Sequence, residues 1–173
     1  MKAANTNRPP SPAALRPLLP SDIARLAAIF RAAIAELTED DYSVEQQDAW
    51  ASAADDEAAF GERLAKNLTL VATLDGEAVG FITLKDDRVI DLLYVHPRVA
   101  GTGVGSVLCN AAETLAKARG AKALTVDASD TALFFFQHRG YEPQRRNTVP
   151  RGDVWLANTT MQKSFEPEKV PPS

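Results

Sequence analysis

Arg98, Gly101, Gly103 and Gly105, in the run VHPRVAGTGVG, carry the most directly legible chemistry of the chain. Glycines let backbone N–H groups approach an anion with no Cβ in the way. A helix N-terminus adds unpaired N–H groups and the positive end of the helix dipole. Arg98 adds a guanidinium fork. Together they suit a phosphate; the alternative is a tight strand-to-helix turn that happens to be glycine-rich. A Walker loop is excluded because no Gly-Lys-Ser/Thr follows. The dinucleotide fingerprint fails because the third glycine, Gly105, comes too early.

Asp91 is the second candidate. It interrupts the apolar run Val89–Val95, and a carboxylate there costs free energy unless it is paired or put to use. Two-residue alternation places it on a face with Val89, Leu93 and Val95, where apolar neighbours would desolvate it towards the range of a general base. The structural alternative is an ion pair with Arg88 or Arg146. Should Asp91 not serve, the remaining carboxylates to consider are Glu36, Asp41 and Asp127. Cys109 falls inside a helical pattern, away from the exposed, activating setting a nucleophile needs. His96 and His138 without a third ligand make no metal site.

The elements that must position these groups follow from periodicity. Val89–Val95 reads as a central buried strand, stopped at His96-Pro97. Val104, Val107, Leu108, Ala111, Leu115 and Ala118 fall on one face of the helix that follows, ended by Gly120. Upstream, Leu15–Leu18 is a short edge strand containing Pro17. Ser21-Asp22 caps a helix with Ile23, Leu26, Ala27, Phe30, Ile34 and Leu37 on its inner face. Ser43 opens a short helix through Trp50, with Glu45 and Gln46 near its start, and residues 55–67 form a third. Residues 69–74 and 77–84 flank Asp75-Gly76, a hairpin signal. Downstream, residues 122–127 form a strand parallel to the central one by the crossover rule. Residues 131–139 form a short helix, and residues 141–149 and 154–162 a final hairpin around Pro150-Arg151-Gly152. The architecture expected is α/β, a mixed sheet with helices on both faces.

One domain, residues 14–165, accounts for a chain of 173 residues, with polar, proline-containing tails at 1–13 and 166–173 expected to be disordered. A net charge of -4 and the lack of a basic stripe argue against nucleic acid as partner. No run approaches membrane length, and a single cysteine permits no internal disulfide, so a reducing cytoplasm is expected.

The block LLYVHPRVAGTGVG resembles the pyrophosphate loop of the GNAT superfamily of acyl-CoA-dependent N-acyltransferases. That pattern is Arg/Gln-x-x-Gly-x-Gly/Ala after a strand ending in apolar-Tyr-Val-x-Pro. ASDTALFFFQHRGYEP, residues 128–143, resembles the same family's short helix and Gly-aromatic strand start. The resemblance runs from about Leu68 to Lys163. It implies a mostly antiparallel twisted sheet whose central parallel strands splay apart. It implies acetyl-CoA as acyl donor, held by Arg98 and by the turn Gly101, Thr102, Gly103, Val104, Gly105 and Ser106. The backbone of Leu93, Tyr94 and Val95 would pair with the pantetheine arm, and Asp91 would serve as general base or amine anchor.

Ser129 stands where the family often has an Asn that contacts coenzyme A; a hydroxyl can still hydrogen-bond. Phe136 stands where many members carry a Tyr that protonates the leaving thiolate. Phe cannot, but a thiol with a reference pKa of about 8.5 leaves tolerably without an acid. Tyr141 is either a substitute acid or core. Tyr42 and Trp50 lie in the segment that covers the acceptor pocket in this family, as lining or as packing. Glu36 and Asp41 would either hold a cationic acceptor or be solvated. The activity implied is acetyl transfer to a small amine by direct attack in a ternary complex, with no metal, by a monomer or homodimer. Its rivals are a protein acetyltransferase and a non-catalytic acyl-CoA sensor.

Overall fold

The computed structural model describes residues 13–166. The tails expected at 1–13 and 166–173 therefore fall almost wholly outside the described residues. The order is β1 (Ala14–Pro17), α1 (Ile23–Leu37), α2 (Val44–Ala51), α3 (Glu57–Ala65), β2 (Leu68–Leu74), β3 (Glu77–Lys85), β4 (Val89–Val95), α4 (Val104–Ala118), β5 (Ala123–Ser129), α5 (Leu133–His138), β6 (Glu142–Arg151) and β7 (Val154–Ser164). The strands form one sheet in the order β1-β2-β3-β4-β5-β7-β6. Every neighbouring pair is antiparallel except β4 with β5. Among the described residues, no helix is long and apolar enough to cross a membrane.

Local chemistry accounts for the boundaries. Ser43 and Gln46 close a reciprocal capping box on α2, with bonds of 3.2 and 2.9 Å. Asp56 caps α3 through the Ala59 amide, so that helix begins two residues later than the periodicity suggested. Asp75 and Gly76 take φ of 50° and 83°, the mirror-image turn that suits a twisted hairpin.

Two cores result. Leu26, Ile29, Phe30, Phe60 and Leu64 of α1 and α3 pack on Val71, Phe81 and Leu92 on one face of the sheet. On the other, Val104, Leu108, Ala112 and Ala116 of α4 pack on Ile82, Ile90, Leu124, Val126 and Met161, with Phe136 and Tyr141. The buried stripe of α4 is rotated from the one expected. It runs through Val104, Leu108, Cys109, Ala112, Glu113 and Ala116, while Ala118 is exposed. A hydrophobic pattern cannot assign Glu113 inward, because that burial depends on three partners remote in sequence.

Candidate active site

β4 and β5 are paired only at Val89–Thr125 and Ile90–Val126. Beyond those rungs β5 follows β7 as far as Ser129–Asn158, while β4 stays with β3 as far as Val95–Gly80. The two strands therefore part into a V. Its facing edges carry the backbone groups of residues 91–95 and 127–129 with no ladder partner across the gap. Buried main-chain groups are almost always satisfied, so such a gap suits an extended, amide-bearing ligand arm.

The wide end of the V meets the N-terminus of α4. There Gly101 and Gly103 take φ of 77° and 97°, and a Cβ built on either would meet nothing within 4 Å. Gly103 is required for its left-handed backbone, and its open space leaves the first amides of α4 accessible. Arg98 is exposed beside this turn, and its amide bonds to His96 Nδ1 at 3.1 Å. Thr102 spends its hydroxyl on the Val99 carbonyl, at 2.6 Å. Val104 is core, and Gly105 and Ser106 are half-buried in the first turn of α4. Ser129 Oγ accepts the Ala132 amide at 3.1 Å, ahead of α5, and its hydroxyl proton remains to be given.

The narrow end carries Asp91, and here the expected strand face is wrong. The β3 partner jumps from Ile90 at Leu84 to Leu92 at Thr83, so Asp91 is the extra residue of a β-bulge. The bulge breaks the alternation. Ile90, Leu93 and Val95 pack in the α4 core, whereas Leu92 and Tyr94 face α1 and α3. Asp91 turns to α3, where Arg63 grips both oxygens, Nε to Oδ2 at 2.8 Å and Nη2 to Oδ1 at 2.9 Å. Its partner is neither Arg88 nor Arg146; Arg146 is bound to Asp130. In place of apolar neighbours it has a guanidinium, whose own pKa the Asp91 hydrogen bonds raise further. Arg63 left no signal in sequence beyond its place on an amphipathic helix.

Aromatic side chains wall the α1–α2 side of the gap, Tyr94 beside Asp91 and Tyr42 towards the wide end. The Trp50 indole N–H donates to the Tyr94 hydroxyl at 3.1 Å. The ring of Tyr42 stands edge-on to Trp50 at 5.3 Å. The Tyr42 hydroxyl donates to the Ala157 carbonyl at 2.7 Å and accepts the Asp130 amide at 2.9 Å. Tyr42 thus ties the connection between α1 and α2 to β7 and to the end of β5. Burial pushes the Tyr94 hydroxyl up to about 12, against the opposing Trp50 hydrogen bond. Glu36 is exposed on α1 and makes no bond to this wall among the described residues; Asp41 accepts the Thr131 hydroxyl at 2.7 Å.

Two other candidates belong to the core. Tyr141 is 2% exposed, and its hydroxyl donates to Glu113 Oε1 at 3.2 Å. Burial first, then the Glu113 charge, raises its pKa well above the ordinary tyrosine value. As placed, it is a structural hydroxyl rather than an acid facing the V. Phe136, also 2% exposed, packs edge-on against Tyr141 with 5.2 Å between ring centres. Cys109 is fully buried, and burial pushes its thiol up to about 12.

A strand gap ending at a glycine turn on a helix N-terminus suits a long donor with a phosphate at one end and its reactive group at the other. Residues 38–165 match the model of the acetyltransferase (GNAT) domain. The chain belongs to the GNAT acetyltransferases. The uncharacterised N-acetyltransferase YafP of Escherichia coli (strain K12) is 35% identical over 148 residues, 86% of this chain and 93% of that protein. A crystal structure from Rhodopseudomonas palustris, described as a GCN5-related N-acetyltransferase and as an aminotransferase, class-II, is 59% identical. It superposes with a TM-score of 0.88 over 92% of this chain and 99% of its own. The PaiA N-acetyltransferase of Thermoplasma acidophilum, solved with coenzyme A, superposes with a TM-score of 0.75 over 88% of this chain and 99% of its own. At 19% identity it speaks for the fold alone. This GNAT chain is an N-acetyltransferase, and its sheet has the splayed parallel pair that the resemblance implied.

Proposed function

We propose that this enzyme moves the acetyl group of acetyl-CoA to the amine of a small molecule by direct attack in a ternary complex. The observation that carries the reading is the V between β4 and β5, closed on one face by the α4 core and edged on the other by polar side chains. The only cysteine, a potential acyl carrier, is buried in that core.

Arg98 and the amides from Gly101 to Ser106 take the pyrophosphate at the wide end. The backbone of Leu93, Tyr94 and Val95 pairs with the pantetheine arm, and a free N–H there polarises the thioester carbonyl. Ser129 gives its hydroxyl to the arm from the β5 side, and Phe136 supports the gap from behind. Tyr42, Trp50 and Tyr94 wall the acceptor, and the Asp91–Arg63 pair frames its floor. Direct bonds from the segment 42–46 to β7, Gln46 Nε2 to the Trp155 carbonyl and the Tyr42 hydroxyl to the Ala157 carbonyl, both at 2.7 Å, enclose that side and favour a small acceptor over a folded protein.

Release of free thiol from acetyl-CoA, followed across a panel of small primary amines, tests this. Turnover with one amine class and saturation in both substrates is expected. Acetyl-CoA binding without thiol release from any amine would make the chain a sensor, and turnover with peptides alone would make it a protein acetyltransferase.

A further inference from the structure

We propose that Asp127, resting on the direct-transfer reading above, takes the proton of the acceptor's ammonium group, held for that task by a one-way row of hydrogen bonds from Arg145. The last rung between β4 and β5 is Ile90–Val126, so Asp127 is the first β5 residue past it, level with Asp91 across the parting strands. Val126 and Ala128 lie in the α4 core, so alternation sends Asp127 to the opposite face, the one that Asp91 and Tyr94 occupy. With the pyrophosphate at the wide end of the V, the thioester lies towards this narrow end. The α4 core closes one face there, so an amine reaches the thioester from the face that carries Asp127.

Asp127 is exposed, and its Oδ1 accepts the Thr160 hydroxyl at 2.6 Å. Thr160 Oγ1 in turn accepts Asn147 Nδ2 at 2.8 Å, and Asn147 Oδ1 accepts Arg145 Nε at 2.9 Å. A hydroxyl has a single hydrogen and Arg is donor only, so the row runs one way, from guanidinium to carboxylate. It fixes Oδ1 and leaves Oδ2 with no partner among the described residues. Asp91, by contrast, has both oxygens in the grip of Arg63. The ionisable groups around this end are Asp91 and Tyr94 of β4, Arg63 of α3 with Glu62 and, just past that helix, Lys66 beside it, Lys85 of β3, Arg151 of β6, whose charge reaches Tyr94, and Arg145 at the far end of the row.

An alkyl ammonium cannot attack until it loses a proton, its pKa being about 10.4. One proton passes to the Asp127 carboxylate, and the freed nitrogen pair bonds to the thioester carbon. The C–S bond breaks with its electrons on sulfur, and the second proton of the new N–C centre goes to the departing thiolate. Asp127 then returns its proton to solvent, so one ammonium and one thioester give one amide, one thiol and one proton.

The test is Asp127→Asn in the full chain, with acetyl-CoA and the best amine of the panel. Asn keeps an oxygen for the Thr160 hydroxyl, so the row and the fold are retained. A fall in kcat/KM of about 10²-fold or more is expected near pH 7, in line with general-base contributions. The deficit should narrow as pH approaches the amine's own pKa, and acetyl-CoA affinity should hold. Thr160→Val should cost less, about tenfold, carried by kcat, and Thr160→Ser should recover it. A near-normal kcat/KM with an unchanged pH profile, or an equal loss at every pH, would overturn the assignment while leaving direct transfer standing. A wild-type enzyme that releases thiol with no amine would overturn both.

Discussion

Glu113 and Asp91 are each gripped by an arginine, on opposite faces of the same sheet. Glu113 stands in the second half of α4 with its side chain 8% exposed. Arg139 and Lys163 each lie 3.0 Å away, and the Tyr141 hydroxyl at 3.2 Å. Its donors come from the protein, on the connection after α5 and on β7, so the cluster ties those elements to α4. Asp91 is more open, with side chains 20% exposed for itself and 35% for Arg63, and it borders the narrow end of the V. The distances are alike in the two pairs. Burial, and what else is within reach, make one a structural knot and the other the edge of a site.

Each pair has a desolvated weak acid beside it. Cys109 lies next to the Glu113 cluster and Tyr94 next to Asp91 and Arg63. Burial is the leading cause of the raised pKa in both, so the comparison extends to alkaline pH.

The largest effect is expected at the knot. Glu113→Gln leaves two cations in a buried site, and breaking a buried pair costs about 3–5 kcal/mol. At roughly 2–4 °C per kcal/mol for a domain of this size, thermal melts should fall by ~6–20 °C. Acetyl-CoA affinity of the folded protein should hold; a melt like that of the wild type would make Glu113 an ordinary surface acid.

Alkaline stability should follow next. A group whose folded pKa is raised favours folding below its unfolded value, and that contribution is lost as pH rises through the folded one. Cys109 rises from 9.0 and Tyr94 from 10.0, each to about 12. Stability from denaturant titrations should therefore stay level to about pH 9 and decline towards pH 12, by about 1.4 kcal/mol per pH unit for each group titrating. Cys109→Ala should make the decline shallower from its start; an unaltered slope would locate the titration elsewhere.

At the open pair the effect should be smaller in stability and visible in kinetics. Asp91→Asn weakens a partly exposed ion pair, at a cost of about 1 kcal/mol or less. It should also lower kcat/KM about tenfold, chiefly through KM, because Arg63 loses its anchor beside the acceptor. A loss of 10²-fold with a displaced pH profile would instead make Asp91 the proton acceptor in place of Asp127. The smallest change is expected at the exposed Asp87–Arg119 bridge, where the side chains are 38% and 48% exposed. Asp87→Asn should alter stability by no more than about 0.5 kcal/mol and activity not at all; a larger change in a urea titration would mean that exposure alone does not rank these pairs.

The elements of this fold were legible wherever the information is local. Val89–Val95, the Asp75-Gly76 hairpin, the Ser43 capping box and the glycine turn at Gly101–Gly105 each depend on residues a few positions apart. Their backbone requirements are written in the residues themselves, and the GNAT resemblance rests on two such local blocks. The bulge at Asp91 was not legible, because one extra residue in a strand changes which face every later side chain takes, and its cause lies in the register against β3. Nor was the inward turn of Glu113, whose partners Arg139, Tyr141 and Lys163 stand 26, 28 and 50 residues away. The sequence by itself determined the strand, the glycine turn, the helix after it and, through them, the family. Only the tertiary structure decided that Arg63 occupies Asp91, that Tyr141 belongs to the core, and that Asp127 stands at the parting of β4 and β5 with one oxygen unbonded among the described residues. The reason is that charge is long-ranged and satisfied by whichever partner the fold brings near, whereas turns and periodic faces are settled by neighbours along the chain.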